Sequence, residues 1–131
     1  MLHTFKKKER LCGKKSIDNL FANGESFYSH PFAVKYKLHN EPQQYPAQLL
    51  IIVPKRKLHH AVDRNTAKRL IRECYRLQKH NLYELLSSRG QRMHLALIYT
   101  ESKTPTYKRL FDDISKLIKR LEENIQIETK Q

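Results

Sequence analysis

Leu49-Leu50-Ile51-Ile52-Val53-Pro54-Lys55-Arg56-Lys57, followed by Arg64-Asn65-Thr66-Ala67-Lys68-Arg69-Leu70-Ile71-Arg72-Glu73, sets the architecture of this chain. The first stretch is an unbroken apolar run stopped by proline. It reads as a central strand over Gln48–Val53, covered on both sides. The second, advanced by about 100° per residue, separates into two faces. Asn65, Lys68, Arg69, Arg72, Arg76 and Lys79 share an arc of about 140° with Arg64, and Ala67, Leu70, Ile71, Cys74 and Leu77 occupy about 120° opposite. A helix from His60 or Asp63 to His80 therefore docks through one face and holds a cationic row outward. Lys55, Arg56 and Lys57 lie in the loop between strand and helix.

The flanks supply the remaining elements. Upstream, Ser16–Asn23 reads as a short helix, with Ser16 as cap, Ile17, Leu20 and Phe21 on one side, and Gly24 closing it in a left-handed conformation. Phe32, Val34, Tyr36 and Leu38 alternate with Ala33, Lys35 and Lys37, the pattern of a half-buried strand. Downstream, Ser87–Gln91 is a turn and Met93–Thr100 a strand. Thr104-Pro105 starts a long helix to about Ile125, striped by Leu110, Phe111, Ile114, Leu117, Ile118 and Leu121. The fold class is α+β, with three strands and three helices in the order helix, two strands, helix, strand, helix.

Length and charge narrow the function. The 131 residues suit one domain, with a basic arm over 1–15 and a tail over 126–131 expected to be flexible. The arm has Phe5 and Leu11 as anchors. The net charge is +13, and it is concentrated. Pro54–His80 holds nine Lys/Arg against two acids, whereas Glu101–Gln131 holds seven against six. Concentrated positive charge points to a polyphosphate, hence nucleic acid. No apolar run is long enough to span a membrane. Two cysteines, Cys12 and Cys74, fit a reducing cytoplasm, with Cys74 as a core residue.

Catalytic groups are not evident. Asp112-Asp113 and Glu122-Glu123 lie on the polar side of the last helix and read as solvated charge. His59-His60 have no zinc spacing, and three glycines make no phosphate-cradling loop. The residues describe a binder with no catalytic or metal-ligating set. A helix-turn-helix reading fails because Pro54 and a strand occupy the place of the first helix. A structural or ribosomal RNA-binding protein remains the alternative.

Arg64-Asn65-x-x-Lys68-Arg69-x-x-Arg72-Glu73 resembles the signature helix of the bacterial ribonuclease P protein family. Ile52-Val53-Pro54-Lys55-Arg56 before it, Arg10-Leu11, the short helix with Phe21 and Gly24, the strand at Phe32, the strand at Leu95–Tyr99 and the closing helix follow the family's order. The resemblance covers roughly residues 5 to 122. It departs at Thr66, which replaces the third member of an Arg-Asn-Arg triplet, and at His59-His60, where a Gly-Asn pair is common. Ile17 and Lys35 stand where aromatics are frequent.

The resemblance implies a protein subunit for a catalytic RNA that removes the 5′ leader of precursor tRNA. It implies an α+β fold, a single-layer mixed sheet of about four strands packed with three helices in the order α-β-β-(β)-α-β-α, with a left-handed βαβ crossover presenting the basic helix; the fourth strand fits Ser26–Tyr28 or the Asn40–Gln48 connection. It implies a monomer bound 1:1 to the RNA and no cofactor on the protein alone; Mg2+ would be held in the holoenzyme through RNA. The expected RNA-binding residues are Lys55, Arg56, Lys57, Arg64, Asn65, Lys68, Arg69, Arg72 and Arg76. The expected leader cleft comprises Ile17, Phe21, Phe32, Lys35 and Tyr36, on the principle that single strands are held by cations and stacking rings.

Overall fold

The computed structural model describes residues 5–130. In chain order these form a 3-10 turn Lys7–Glu9, α1 Lys14–Asn23, β1 Glu25–Ser29, β2 Phe32–His39, β3 Ala47–Ile52, α2 Ala61–Gln78, α3 His80–Ser88, β4 Arg92–Tyr99 and α4 Tyr107–Lys130. The strands make one mixed sheet in the order β1-β2-β4-β3. The pairs β1/β2 and β2/β4 are antiparallel, and β3/β4 is parallel through α2 and α3. The fold is α+β, and the fourth strand is the Ser26–Tyr28 piece, now β1.

The apolar run of β3 misleads about position. It lies at the sheet edge, and the central places belong to β2 and β4. An apolar run reports cover on both faces, not neighbours on both sides. Ala47 and Leu49 pack toward α2 and α4, while Leu50 packs under α1. The open edge is met by the N-terminal segment. Arg10 bridges Leu49 in parallel, and the Leu11 amide donates to the Leu49 carbonyl at 2.8 Å. Thus residues 5–13 of the expected arm lie along the sheet; residues 1–4 and Gln131 fall outside the described residues.

Four helices replace the expected three. The nine residues of α3 carry only Leu82 and Leu86 as fully buried side chains. That is too short a stripe to announce a helix, and Lys79 keeps a helical backbone between α2 and α3. Gly24 also differs from expectation. Its φ of −80° and ψ of 160° are extended, not left-handed. It is glycine because a Cβ would stand 2.5 Å from the Leu20 carbonyl oxygen and 2.9 Å from that of Tyr36. Ser16 is inside the first turn of α1, and Gly13, at φ +105°, occupies the cap position instead. Helix α4 begins two residues beyond Pro105, its Leu110 amide bonding the Thr106 carbonyl, and continues past Ile125.

The pleat divides the sheet into two faces with different cover. On one face Phe32, Val34, Tyr36, Leu95 and Leu97 meet Ala67, Ile71 and Tyr75 of α2 and the Leu110–Ile125 stripe of α4. On the other, Leu11, Leu20 and Ala96 form a small core with Ile17, Phe21 and Leu50 around it. Helix α1 crosses this second face over the row Lys35–Ala96–Leu50, which the strand register aligns. Leu20 is its fully buried anchor, and truncating such a leucine costs roughly 2–5 kcal/mol.

Candidate nucleic-acid interface

Helix α2 buries Ala67, Ile71, Cys74 and Tyr75 and turns its cationic side outward. Asn65 and Arg69 are exposed; Lys68 and Arg72 are half-exposed. Arg64 has a different task. Its guanidinium donates to the carbonyls of Leu58 at 2.9 Å and His59 at 2.8 Å, while Leu58 is buried in the core. The loop is thereby fastened to the first turn of α2. Lys55 and Arg56 are exposed and Lys57 half-exposed beside it. Arg76 is compensated within the helix, its Nε donating to Glu73 at 3.2 Å. That contact raises the guanidinium and lowers the carboxyl from their ordinary values.

Lys79 does not belong to the cationic row. Helix α2 ends at Gln78, and the entry into α3 turns Lys79 inward to 4% exposure. There it pairs with Glu9, itself 1% exposed. Tyr83 donates to the same carboxylate at 2.7 Å, and the Lys6 amide donates to its other oxygen at 2.5 Å. The ammonium also stands 5.4 Å from the ring centre of Phe5 and 5.0 Å from that of Tyr83. This latch fixes the N-terminal segment to the α2–α3 junction.

Its consequence is a residue that sequence reasoning left out of the interface. Arg10 follows the latched Glu9 and comes close enough to Arg72 to depress its guanidinium, after burial, which is the larger cause. Cationic side chains within electrostatic range of one another raise the local positive potential, which favours an anion there. The signal in the sequence was only a basic arm; the pairing depends on β3 being an edge strand.

The expected leader cleft divides. Phe21 is half-buried on the α1 side, and the Lys35 ammonium stands 5.7 Å from its ring centre. Ile17 lies beside it around the Leu20 core. These three are brought together. Phe32 and Tyr36 are not, because they point to the opposite face and are 0% and 3% exposed. Phe32 packs on Tyr99 with centroids 5.8 Å apart, and Tyr36 on Phe27 at 6.1 Å. An alternating strand has an inside and an outside, and its aromatics went inside. The aromatic that β1 does offer, by pleat, on the α1 side is Tyr28, 52% exposed.

Among the described residues, no three or more His, Cys, Asp or Glu side chains converge as metal ligands would. Asp113 and Glu122 are half-buried, and burial raises both carboxyls. No described helix is long and apolar enough to cross a membrane.

Residues 5–122 match the ribonuclease P family. The ribonuclease P protein component of Porphyromonas gingivalis is 32% identical over 119 residues, covering 91% of this chain and 87% of that protein. That of Chlorobium phaeobacteroides is 30% identical over 127 residues, covering 89% and 87%. The Staphylococcus aureus RNase P protein superposes with a TM-score of 0.69 at 22% identity, covering 88% of this chain and 96% of that one. The Thermotoga maritima protein gives 0.63 at 19% identity, covering 85% and 96%.

Proposed function

Because the chain belongs to the ribonuclease P protein family, we propose that it is the protein subunit of a ribonucleoprotein that removes the 5′ leader from precursor tRNA in the cytoplasm. The observation that carries this reading is the outward row Asn65, Lys68, Arg69 and Arg72 on a helix anchored by a full apolar face. Catalytic RNA docks along that row, extended by Lys55, Arg56 and Lys57 at one end and Arg10 at the side. Each charged hydrogen bond to phosphate fixes position without reading sequence. The single-stranded leader lies on the other face, with a base against Phe21 and a phosphate at Lys35.

In the holoenzyme the activated water and the stabilisation of the leaving oxygen would come from magnesium bound through the RNA. The protein's contribution is electrostatic and positional, and it lowers the magnesium needed because its cations offset phosphate repulsion. One protein monomer serves one RNA. The test is cleavage of precursor tRNA by the catalytic RNA at low magnesium, with and without the protein. Stimulation that mature tRNA, which lacks the leader, competes away only weakly is expected. No stimulation, or leader removal by the protein without RNA, refutes the proposal.

A further inference from the structure

Helix α1 splits its sheet face, and the half away from Phe21 contains a second basic hollow. Ser16 and Asn19 form its wall on α1, and Lys37, His39 and His94 its floor on β2 and β4, around a space of about 400 Å³. It continues toward the N-terminal segment and the β2–β3 connection as a space of about 510 Å³, reached by Lys7, Lys8 and Arg10. The two imidazoles lie against each other with ring centres 4.3 Å apart and their planes inclined by 49°. His39 Nδ1 accepts the Glu41 amide at 3.1 Å, which leaves Nε2 as the protonated nitrogen. That Nε2 is enclosed, and the Gln43 side chain hydrogen-bonds the ring from the β2–β3 connection. The lining side chains carry five cations (Lys7, Lys8, Arg10, Lys15 and Lys37) against the single carboxylate of Glu41.

An open hollow floored by two imidazoles, with five cations around it and one carboxylate, fits one ligand chemistry. We propose that this hollow is a second RNA contact, taking a single-stranded ribonucleotide with its phosphate toward Lys37 and His39. The inference rests on the RNA-binding reading above, but it concerns the opposite side of α1 from Phe21. Two strands of RNA, or two parts of one strand, then pass on either side of the same helix.

The two histidines give the site a pH dependence. Burial lowers both from their ordinary value. Around His39, Gln43 and Glu41 act upward and Lys37 and Arg92 downward; around His94, His39 and Lys37 act downward and Glu41 upward. The free site is therefore neutral at its rings at pH 7. A bound phosphate favours the charged form, so RNA binding here takes up protons and strengthens as pH falls. Each imidazole whose pKa the ligand raises by one unit adds about a tenfold gain in affinity between the high-pH and low-pH limits.

The test is imidazole NMR on the full-length protein titrated with hexauridylate from pH 8 to pH 6. Expected are shifts at His39 and His94, an upward move of their titration midpoints, persistence of both in Phe21→Ala, and loss of both in Lys37→Ala with an unchanged thermal melt. Silent His39 and His94 rings overturn the proposal. So do shifts that survive Lys37→Ala and vanish in Phe21→Ala, since they would report the other groove. To find the source of the strand, Lys37→Cys in a Cys12→Ser background carries a photoreactive azide into the assembled holoenzyme. Cross-links to precursor tRNA or to the catalytic RNA each support the site and assign it. A complex that cleaves normally and cross-links to neither overturns it. Absence of any stimulation of cleavage, by contrast, refutes the subunit assignment and leaves the hexauridylate result standing on its own.

Discussion

Replacing Lys79 with Met removes the ammonium from the latch that holds the N-terminal segment against the α2–α3 junction. The Glu9 carboxylate stays 1% exposed unless the segment moves. Breaking a buried pair by deleting one partner costs about 3–5 kcal/mol when the other charge is stranded. Here the Tyr83 hydroxyl at 2.7 Å and the Lys6 amide at 2.5 Å still serve the carboxylate. Net hydrogen bonds to a charge are worth about 1.5–3 kcal/mol, so the expected loss falls to about 2–4 kcal/mol. Glu9→Gln alone takes the carboxylate charge from the ammonium instead, while the Phe5 and Tyr83 rings still face it. The double variant strands nothing. Its loss should be smaller than the sum of the singles by about 1–3 kcal/mol. A domain of this size holds roughly 5–15 kcal/mol, so urea melts at constant slope can resolve all four proteins. Hydrogen exchange gives the second readout. The Leu11 amide, bonded to Leu49, should exchange faster in each single variant and near the parent rate in the double. Additive singles, or a Lys79→Met protein within about 0.5 kcal/mol of the parent, refute the latch.

Arg69→Ala with Arg72→Ala should weaken binding of the catalytic RNA by roughly 1–3 kcal/mol for each charged hydrogen bond lost, read by filter binding. For the parent, contact with about five phosphates gives a log–log salt slope of roughly −3.5 to −4.5; a slope near zero removes the α2 face from the interface. Phe21→Ala should spare that binding and reduce the preference for precursor over mature tRNA by roughly 1–3 kcal/mol, with an unchanged melt excluding a stability effect. Cys74 has a thiol pushed up to about 11 by burial, so it is protonated at pH 8 and shielded. An alkylating reagent should label exposed Cys12 first and Cys74 only on unfolding; equal rates in the native protein contradict the packing of α2.

Periodicity made α2 and α4 legible, because each carries a stripe long enough to show the helical repeat. It made Phe32, Val34 and Tyr36 legible as one face of a strand, yet not which face was the core. The choice depended on where α2 and α4 pack, which is information held by distant residues. Hence Phe21 and Lys35 came together on the α1 side, while Phe32 and Tyr36 were buried opposite. The same limit hid Lys79, whose helical angle placed it on the cationic arc until the chain turned at Gln78. Arg10 and the His39–His94 pair were beyond sequence reasoning for a simpler reason. Their partners are 62 and 55 positions away, counted from Arg10 to Arg72 and from His39 to His94; the β2/β4 register brings the histidines together, and the pairing of Arg10 with the β3 edge brings Arg10 within range of Arg72.

The two surfaces proposed to face RNA lie on opposite sides of one sheet, and adjacent residues couple them. Glu9 is latched to the α2–α3 junction, Arg10 acts electrostatically on Arg72, and Leu11 is buried under α1 with Leu20 and Ala96. Three consecutive side chains thus touch the elements that carry both surfaces. Releasing Glu9 moves Arg10 away from the α2 row and withdraws Leu11 from the floor of α1 together. The latch variants should therefore weaken catalytic-RNA binding and precursor preference in parallel, although neither Glu9 nor Lys79 faces solvent. Arg69→Ala with Arg72→Ala, and Phe21→Ala, should each affect only one. That contrast distinguishes a coupled scaffold from two independent patches that happen to share a fold.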